Sequence, residues 1–405
     1  MTTPDPASPP ARVALYDSEF AADPHGAYER MRRTFGSLVP VDLAPGIPAT
    51  LVIGFHQARR ILNDPLHFPA DPRIWQESVP ATCPVRPMME WRPNALRSSG
   101  AEHTRYRAAN TASIQAVDQH GLRDLVEKSA SAAIEGFRSL GHADLLTQYS
   151  FPIAFQVLSA LLGCPDEIGM RIADGMAKIF EAEAETAARG NEILGQAVSD
   201  LVTLRRRYPG DDITSRLIAH SARLDDIEMS HQLVTLYGAG IEPVTNLISN
   251  TVLKILTDEQ FSAGLHAGQP VRDALDTVLY TDPPMANYCI SYPPYPIDIE
   301  GVLLPAHQPV VISMAACNND PAVTGGLGAG DGRLSGNRAH LSWSIGPHTC
   351  PARTHAYLIV ETAIACLLDA LPEIDLGCPV SDLVWRPGPF HRALEALPVR
   401  FPAVD

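Results

Sequence analysis

Helical periodicity between residues 101 and 282 is the feature that most constrains the fold of this chain. Apolar residues recur there at intervals of three and four, which is the spacing of amphipathic helices. The predicted helices cover residues 101–117, 120–137, 147–163, 167–207, 212–220 and 226–257. So large a helical share favours a mainly α fold.

Shorter elements flank this region. The sequence predicts helices over 23–34, 56–63 and 352–370 and β-like runs at 38–43, 49–53 and 288–313. Residues 65–100 carry seven prolines and few periodic apolar positions. A long irregular segment of this kind is typical of a binding loop, and Trp75, Met88, Met89 and Trp91 either line a substrate pocket or anchor the loop.

The organisation predicted from these patterns is simple. Residues 1–20 are rich in proline and predict a flexible leader, whereas residues 21–405 contain no hinge-like linker and predict a single domain. Residues 322–338 are rich in glycine and predict a loop.

Composition excludes several classes of protein. The net charge of −15 over 405 residues argues against a general binder of nucleic acid or anionic lipid. The seven scattered cysteines form no CxxC pair, and no apolar run approaches the roughly 18 residues that cross a bilayer. Because the N-terminus also lacks a signal-peptide pattern, we expect a cytoplasmic protein that acts as a monomer without membrane contact.

Cys350 is the residue whose position most strongly indicates chemistry. It lies directly before the predicted helix 352–370, where the helix dipole and free amide groups favour a thiolate, the form that binds iron. Gly346 lets the preceding loop approach a flat ligand closely, and His348 can donate a hydrogen bond to an anionic group. A buried cysteine at a helix start would be the simplest alternative.

The surrounding pattern decides between these interpretations. Trp343, Gly346, His348 and Cys350 form a Trp-x-x-Gly-x-His-x-Cys sequence, which resembles the haem-binding signature of the cytochrome P-450 superfamily, with Trp343 in place of the usual Phe and Ala352 in place of the last Gly. The segment Glu102–Arg107 resembles the family's haem-propionate helix, and Ser99-Gly-Ala-Glu102 predicts a capping box that opens it. Ala239-Gly-Ile-Glu-Pro-Val-Thr-Asn246 resembles the family's oxygen-activating helix. The resemblance covers residues 15–400.

Three departures from the family pattern stand out. Thr277 and Tyr280 occupy the positions of the Glu-x-x-Arg pair, with Asp276 one residue out of register, and we expect a concerted replacement of that network. Ser291 stands where many relatives have a propionate-binding Arg. Pro243 and Val244 follow Glu242 in place of the Thr that assists oxygen activation, and Pro243 should bend the helix.

The resemblance implies a P-450 fold with small β-sheet patches and haem b between helices 226–257 and 352–370. It implies that Cys350 is the iron ligand. The haem contacts would come from His103, Arg107, Ala239, Gly240, His340, Trp343, Gly346, His348, Cys350, Ala352 and Ala356. The catalytic residues would be Glu242, Thr245 and Gly240. Glu242 is expected to have a raised pKa and to supply protons, unless it is simply a solvated helix residue, and Thr245 substitutes for the missing Thr only if the bend turns it toward the iron.

The function implied is a monooxygenase that oxidises an organic small molecule with O2. Its electrons would come from NAD(P)H through a ferredoxin and a ferredoxin reductase, and its role would lie in secondary-metabolite biosynthesis. The reaction would be either hydroxylation, with the substrate supplying the missing hydroxyl, or aromatic coupling or dehydrogenation. The alternative is a catalytically weak, haem-binding auxiliary protein that binds a partner enzyme or a ligand.

Overall fold

The computed structural model of the chain describes residues 12–179, 184–259, 261, 271–326 and 338–403. The chain folds into two compact units, each assembled from three stretches of sequence. The first unit draws on residues 1–91, 276–349 and 384–395, and the second on residues 92–275, 350–383 and 396–405. The single domain expected over 21–405 stays a prediction.

Helices make up most of the described chain, which confirms the mainly α fold. The α-helices are α1 Ser18–Ala22, α2 Pro24–Phe35, α3 Phe55–Leu62, α4 Arg73–Glu77, α5 Arg86–Met89, α6 Gly100–Gln115, α7 Gln119–Glu135, α8 Phe151–Leu161, α9 Asp166–Ile179, α10 Ala184–Arg207, α11 Ile213–Ala219, α12 Asp226–Thr257, α13 Val271–Thr281, α14 Met314–Asn318, α15 Pro321–Thr324 and α16 Arg353–Ala370. Within the described residues, none of these helices is both long enough and apolar enough to cross a membrane.

The strands are short and form three sheets. They are β1 Val13–Ala14, β2 Leu38–Ala44, β3 Ile47–Val52, β4 His142–Asp144, β5 Asn287–Ser291, β6 Ile297–Ile299, β7 Val302–Leu304, β8 Val310–Ser313, β9 Asp375–Leu376 and β10 Pro398–Arg400. The first unit holds a five-stranded sheet of order β1-β2-β3-β8-β5 and the hairpin β6-β7, and the second holds the sheet β4-β10-β9. The expected small β-sheet patches are therefore present.

The first unit has its core on both faces of the five-stranded sheet. Strand β3 pairs in parallel with β8, with Thr50 opposite Val310, so residues 260 positions apart in the chain become neighbours. Strand β1 pairs with β2, and Leu15 is completely buried in this core. The predicted flexible leader was therefore too long, because residues 13–20 already carry ordered elements; residues 1–11 lie outside the described residues.

The 65–100 segment contributes anchors to the same core. Trp75 and Met89 lie on the short helices α4 and α5, are almost fully buried, and belong to the hydrophobic cluster around the sheet. The Trp75 ring packs against Tyr292, with ring centroids 5.7 Å apart. Between the two interpretations of these side chains, the structure favours anchoring for Trp75 and Met89.

The second unit is a helical assembly around α12. Its hydrophobic cluster combines residues of α6, α10, α11 and α12, with Tyr106, Leu201, Leu217 and Ile241 among the buried members. Observed helix bounds agree with the predicted ones within two residues for α6, α7, α11, α12 and α16. The predicted helix 167–207 corresponds to α9 and α10, with residues 180–183 outside the described ones. Most of the glycine-rich loop predicted over 322–338 also lies outside them.

Candidate active site

Cys350 lies half-buried between the 3-10 turn Gly346–His348 and the start of α16. The Ala352 amide donates a hydrogen bond toward the Cys350 sulfur. Burial nevertheless raises the pKa of the Cys350 thiol, and it outweighs the lowering by the Ala352 amide, Arg107 and Arg353. The amide at the helix start therefore favours the thiolate, as expected, but burial outweighs it here, and binding to a metal ion would remove the thiol proton.

Helix α6 presents His103 and Arg107 one turn apart on one face. Burial lowers the pKa of His103, and the neighbouring Arg107 lowers it further, so the imidazole is neutral. The pKa of Arg107 is lowered by burial and raised by its proximity to Cys350. An imidazole N–H donor and a guanidinium cation therefore lie side by side in the same unit as the cysteine.

The start of α6 differs from the predicted capping box. Ser99 occupies the N-cap position, but its side chain makes no capping hydrogen bond. The first helical residue, Gly100, has a φ of +58°, which is outside the right-handed helical region that the motif needs. A complete capping box opens α12 instead, where Asp225 and Glu228 bond reciprocally to each other's backbone amides at 2.8 and 3.0 Å.

Helix α12 continues through Pro243 without a break. Because proline has no amide hydrogen, the Ala239 carbonyl four residues earlier loses its helical donor. Ala239 is exposed, whereas Tyr237 and Ile241 on either side of it are buried. This part of α12 therefore offers an uncovered face of small residues with an available carbonyl acceptor.

The acid and the hydroxyl predicted to be catalytic lie one turn apart on α12. The Glu242 carboxylate is half-buried and accepts a hydrogen bond from the Asn246 side-chain amide at 3.1 Å. Thr245 is 4% exposed, and its hydroxyl has no hydrogen-bond partner among the described residues. Asn246 was missed in the sequence, although its i+4 spacing from Glu242 is a usable signal.

Gly240 serves helix packing in this structure. A Cβ atom at this position would lie 2.6 Å from the Leu158 side chain on α8, so glycine permits the close approach of α8 and α12. Its predicted contact with haem and its catalytic part stay predictions.

Ala352 and Ala356 connect the cysteine segment to α16. Ala352 is the N-cap of α16 and packs against the hydrophobic cluster that contains Ile241. Its carbonyl accepts the Ala356 amide at 2.9 Å, and Ala356 is buried. These two residues therefore fix the first turn after the cysteine.

The other predicted haem contacts belong to the first unit. His340 is buried, and its Nδ1 accepts the Ser342 amide at 3.3 Å, which leaves the proton on Nε2 as a donor. Trp343 and His348 are half-buried. Ser291, at the position of the expected Arg, is buried and its hydroxyl has no partner among the described residues.

Gly346 is required by a neighbour that the sequence does not reveal, while its predicted approach to haem stays a prediction. Its φ is +71°, and a Cβ atom there would lie 2.3 Å from the Leu62 carbonyl oxygen. The close neighbour that excludes a side chain is therefore the protein's own backbone at the end of α3.

The residues of the second unit fit a haem group. A cysteine with an amide donor at its sulfur and an adjacent His–Arg pair have the chemistry of an iron ligand and of partners for carboxylates, and the exposed Ala239 face of α12 offers an apolar surface. The buried, unpartnered hydroxyl of Thr245 adds a polar group on the same helix as that surface.

Comparison with known proteins places this arrangement in a family. No protein-family model matches the chain. The chain is 28% identical to cytochrome P450 monooxygenase PikC of Streptomyces venezuelae, covering 98% of this chain and 95% of that protein. It is 27% identical to 6-deoxyerythronolide B hydroxylase of Saccharopolyspora erythraea, covering 95% and 98%.

A solved structure gives the same result at the level of the fold. Testerone-bound CYP154C4 from Streptomyces sp. ATCC 11861 superposes with a TM-score of 0.88 at 26% identity, covering 97% of this chain and 99% of that one. The relatives and the solved structure are thus of one kind, and each is similar to this chain over nearly its whole length. The chain belongs to the cytochrome P450 superfamily and is an oxidoreductase enzyme.

Proposed function

We propose that the chain is a haem-thiolate monooxygenase that oxidises an organic small molecule with O2 and two electrons. The observation that carries the proposal is the environment of Cys350, whose sulfur receives the Ala352 amide and lies close enough to Arg107 for each to shift the other's pKa. A buried structural cysteine needs neither a cation nor an amide donor at its sulfur.

Haem b, when bound, would supply the iron at which O2 is activated for insertion of one oxygen atom into the substrate. Cys350 would provide the thiolate ligand of the iron, and Pro351, which has no amide hydrogen, removes one possible hydrogen bond to that sulfur. Arg107 would bind a propionate by charge-assisted hydrogen bonds, and the neutral His103 would donate one further N–H.

Proton delivery is assigned to α12. The Glu242 carboxyl group holds the proton, and Asn246 orients it through the 3.1 Å hydrogen bond. The Thr245 hydroxyl replaces the hydroxyl that Pro243 and Val244 lack, because it is buried and has no competing partner among the described residues. The Ala239 carbonyl, released by Pro243, accepts a hydrogen bond from water or from a substrate hydroxyl.

The electrons are proposed to come from NAD(P)H through a ferredoxin and its reductase. The substrate is proposed to be a secondary metabolite, because relatives of nearly the same length include PikC, 6-deoxyerythronolide B hydroxylase and the polyketide biosynthesis cytochrome P450 PksS of Bacillus subtilis. Hydroxylation is the proposed reaction, with aromatic coupling or dehydrogenation as its alternative. The cytoplasmic location and the monomeric state stay predictions.

The absorption spectrum of the reduced, carbon-monoxide-bound protein tests the iron ligand. The wild-type protein should give the red-shifted band of a thiolate ligand, and Cys350→Ala should abolish it. Cys366→Ala, which changes a half-buried cysteine in the body of α16, is the matched control and should retain the band. A thiolate-type band in Cys350→Ala would exclude Cys350 as the ligand.

Turnover tests the proposed reaction and its proposed source of electrons. With a ferredoxin, its reductase and NAD(P)H, the enzyme should convert a candidate polyketide into a product with one added oxygen atom. A thiolate-type band without NAD(P)H-dependent formation of an oxygenated product in any such mixture would contradict the proposed monooxygenase reaction.

A further inference from the structure

A completely buried carboxylate lies next in sequence to Thr277, one of the two positions at which the family resemblance predicts an ionic pair. Asp276, on α13, is 0% exposed, and its Oδ2 accepts a hydrogen bond from Arg338 Nε at 2.8 Å. Arg338 comes from a segment 62 residues later in the chain, and its side chain is 55% exposed. A buried carboxylate is costly without a paired cation, so this contact constrains where the Arg338 segment can lie.

Neutral residues fill the two positions, 277 and 280, at which the family resemblance leads us to expect charge. Tyr280 is 3% exposed, and burial raises its pKa, so it stays a neutral phenol. Thr277 uses its backbone carbonyl to accept the Thr281 hydroxyl at 3.0 Å. The buried carboxylate of α13 is instead Asp276, one residue before Thr277.

Asn318 forms a second connection between α13 and the segment that follows Arg338. Its side-chain amide donates to the Leu279 carbonyl at 3.2 Å and to the Ser342 hydroxyl at 3.0 Å, while its carbonyl oxygen accepts the Leu341 amide at 2.7 Å. The Ser342 hydroxyl also donates to the Leu279 carbonyl. Asn318 is fully buried, so each of its polar atoms needs such a partner.

The same segment carries a predicted haem contact. The Ser342 amide donates to His340 Nδ1 at 3.3 Å, which fixes the imidazole tautomer with its proton on Nε2. A shift of residues 341 and 342 would therefore change the orientation of His340 and the start of the chain that continues to Gly346 and Cys350.

We propose that Asp276, Arg338 and Asn318 are positioning residues that hold the segment 338–348, which leads to Cys350, in place of the ionic network expected at Thr277 and Tyr280. The inference rests on the proposed haem-thiolate function for its catalytic meaning. In this chain the segment would be held by one acid and one arginine, supplemented by an amide.

Hydrogen exchange in the full-length chain tests the positioning directly. In Asp276→Asn and Asn318→Ala, the Leu341 and Ser342 amides should exchange about tenfold faster than in the wild-type protein, while amides of α9 and α10 stay unchanged. Asp200→Asn, which breaks a half-exposed ion pair with Arg171 on those helices, is the control and should leave both amides unaffected. Unchanged exchange at Leu341 and Ser342 in Asp276→Asn would overturn the proposal.

The spectrum of the haem-loaded protein tests the consequence for the ligand. Arg338→Gln should convert at least about half of the thiolate-type band of the reduced, carbon-monoxide-bound form into the band of a neutral thiol, and Arg338→Lys should restore most of it because it keeps the charge. A merely structural role would lower the melting temperature of Arg338→Gln and leave the band intact, and that result would contradict the proposal.

The hydrogen-exchange and spectroscopic experiments together distinguish a failure of this inference from a failure of the proposed function. If the wild-type protein itself shows no thiolate-type band, the haem-thiolate function fails, and the exchange rates of Leu341 and Ser342 alone decide whether the three residues position the segment.

Discussion

Thr245 carries a buried hydroxyl without a partner among the described residues, and such a group lowers stability unless a ligand or water satisfies it. Thr245→Val keeps the shape of the side chain and removes the hydroxyl. We expect the variant without haem to be as stable as the wild-type protein or more stable, by up to about 1 kcal/mol, because an unsatisfied polar group disappears. Thermal unfolding of the two proteins measures this difference.

The same variant should lose coupling between electron use and product. If the Thr245 hydroxyl serves proton transfer, Thr245→Val should consume NAD(P)H with a several-fold smaller product yield, whereas Thr245→Ser should retain most of the yield. The ratio of product formed to NAD(P)H consumed is the measurement. A variant that is less stable yet fully coupled would show that the hydroxyl is structural.

Glu242 permits a test that separates proton delivery from substrate binding. Glu242→Gln retains the hydrogen bond from Asn246 to a side-chain oxygen but cannot deliver a proton as a carboxylic acid does. We expect turnover driven by O2 and NAD(P)H to fall by roughly tenfold to 100-fold, and turnover driven by added peroxide to fall much less, because peroxide already carries the protons. Equal losses in the two assays would remove the proton-delivery role from Glu242.

At the scale of elements, three segments of the first unit meet at one charged cluster. His25 at the start of α2 and Arg392 on the 384–395 segment both contact Asp282, which directly follows α13; each approaches the carboxylate to 3.2 Å. The Arg392 guanidinium also lies 3.4 Å from the Trp385 ring centroid. This cluster connects chain segments more than 100 residues apart and should make stability depend on pH.

The direction of that pH dependence follows from the pKa shifts of His25 and Asp282. Burial lowers the pKa of His25, but hydrogen bonding and charge attraction from Asp282 outweigh it, so the net pKa is raised. Its stabilisation is complete below the unfolded value of about 6.5 and is lost as pH rises through the higher folded value. Burial raises the pKa of Asp282, yet His25 and Arg392 lower it to about 2. Its stabilisation is present above about pH 4 and is lost as pH falls toward about 2.

Stability from this cluster should therefore be greatest between about pH 4 and 6.5. His25→Gln should flatten the decline of the unfolding free energy above that window, and Asp282→Asn should remove the pH dependence at both ends. Urea unfolding of the apo chain across pH 3 to 9 measures the profile. The expected change in the free energy of unfolding is roughly 1 kcal/mol or less, because His25 and Asp282 are about one-third exposed. An unchanged profile in Asp282→Asn would contradict the assignment.

The local sequence was sufficient to predict the helices but not the long-range contacts between elements. Periodicity located α12 and α16 to within a residue because their apolar spacing is long and uninterrupted. The pairing of β3 with β8 and of Asp276 with Arg338 was not predictable, because both join segments far apart in the chain and depend on tertiary packing. The capping box was assigned to Ser99 because the motif matches there, but the φ of Gly100 is set by the preceding loop.

The candidate site likewise combines features that the sequence predicts with features that depend on tertiary contacts. Cys350, His103 and Arg107 were predicted because their segments resemble family motifs, and the structure places them at a helix start and on one helix face, as their spacing indicates. The raised pKa of Cys350 was not foreseen, because the helix terminus is visible in the sequence and the burial that outweighs it is not. The reason for Gly346 was also out of reach, since it depends on the backbone of Leu62 approaching from another segment.

At the scale of the whole molecule, the chain alternates between its two compact units five times, and neither unit is one continuous stretch. We propose that the two units act as one haem-thiolate oxygenase domain, because relatives such as PikC align over 98% of the chain without a division. Neither unit can then complete its core without segments that are covalently joined through the other, which favours cooperative unfolding.

Scanning calorimetry of the haem-loaded chain should therefore show one transition whose calorimetric and van't Hoff enthalpies agree. Haem removal should lower the melting temperature of that single transition, because a group that binds only the native state stabilises it by mass action. In Cys350→Ala, haem binds more weakly, so the melting temperature should lie between those of the apo and haem-loaded wild-type proteins. Two separated transitions, with only one of them responding to haem, would mean that the two units unfold independently and that the single-domain proposal is wrong.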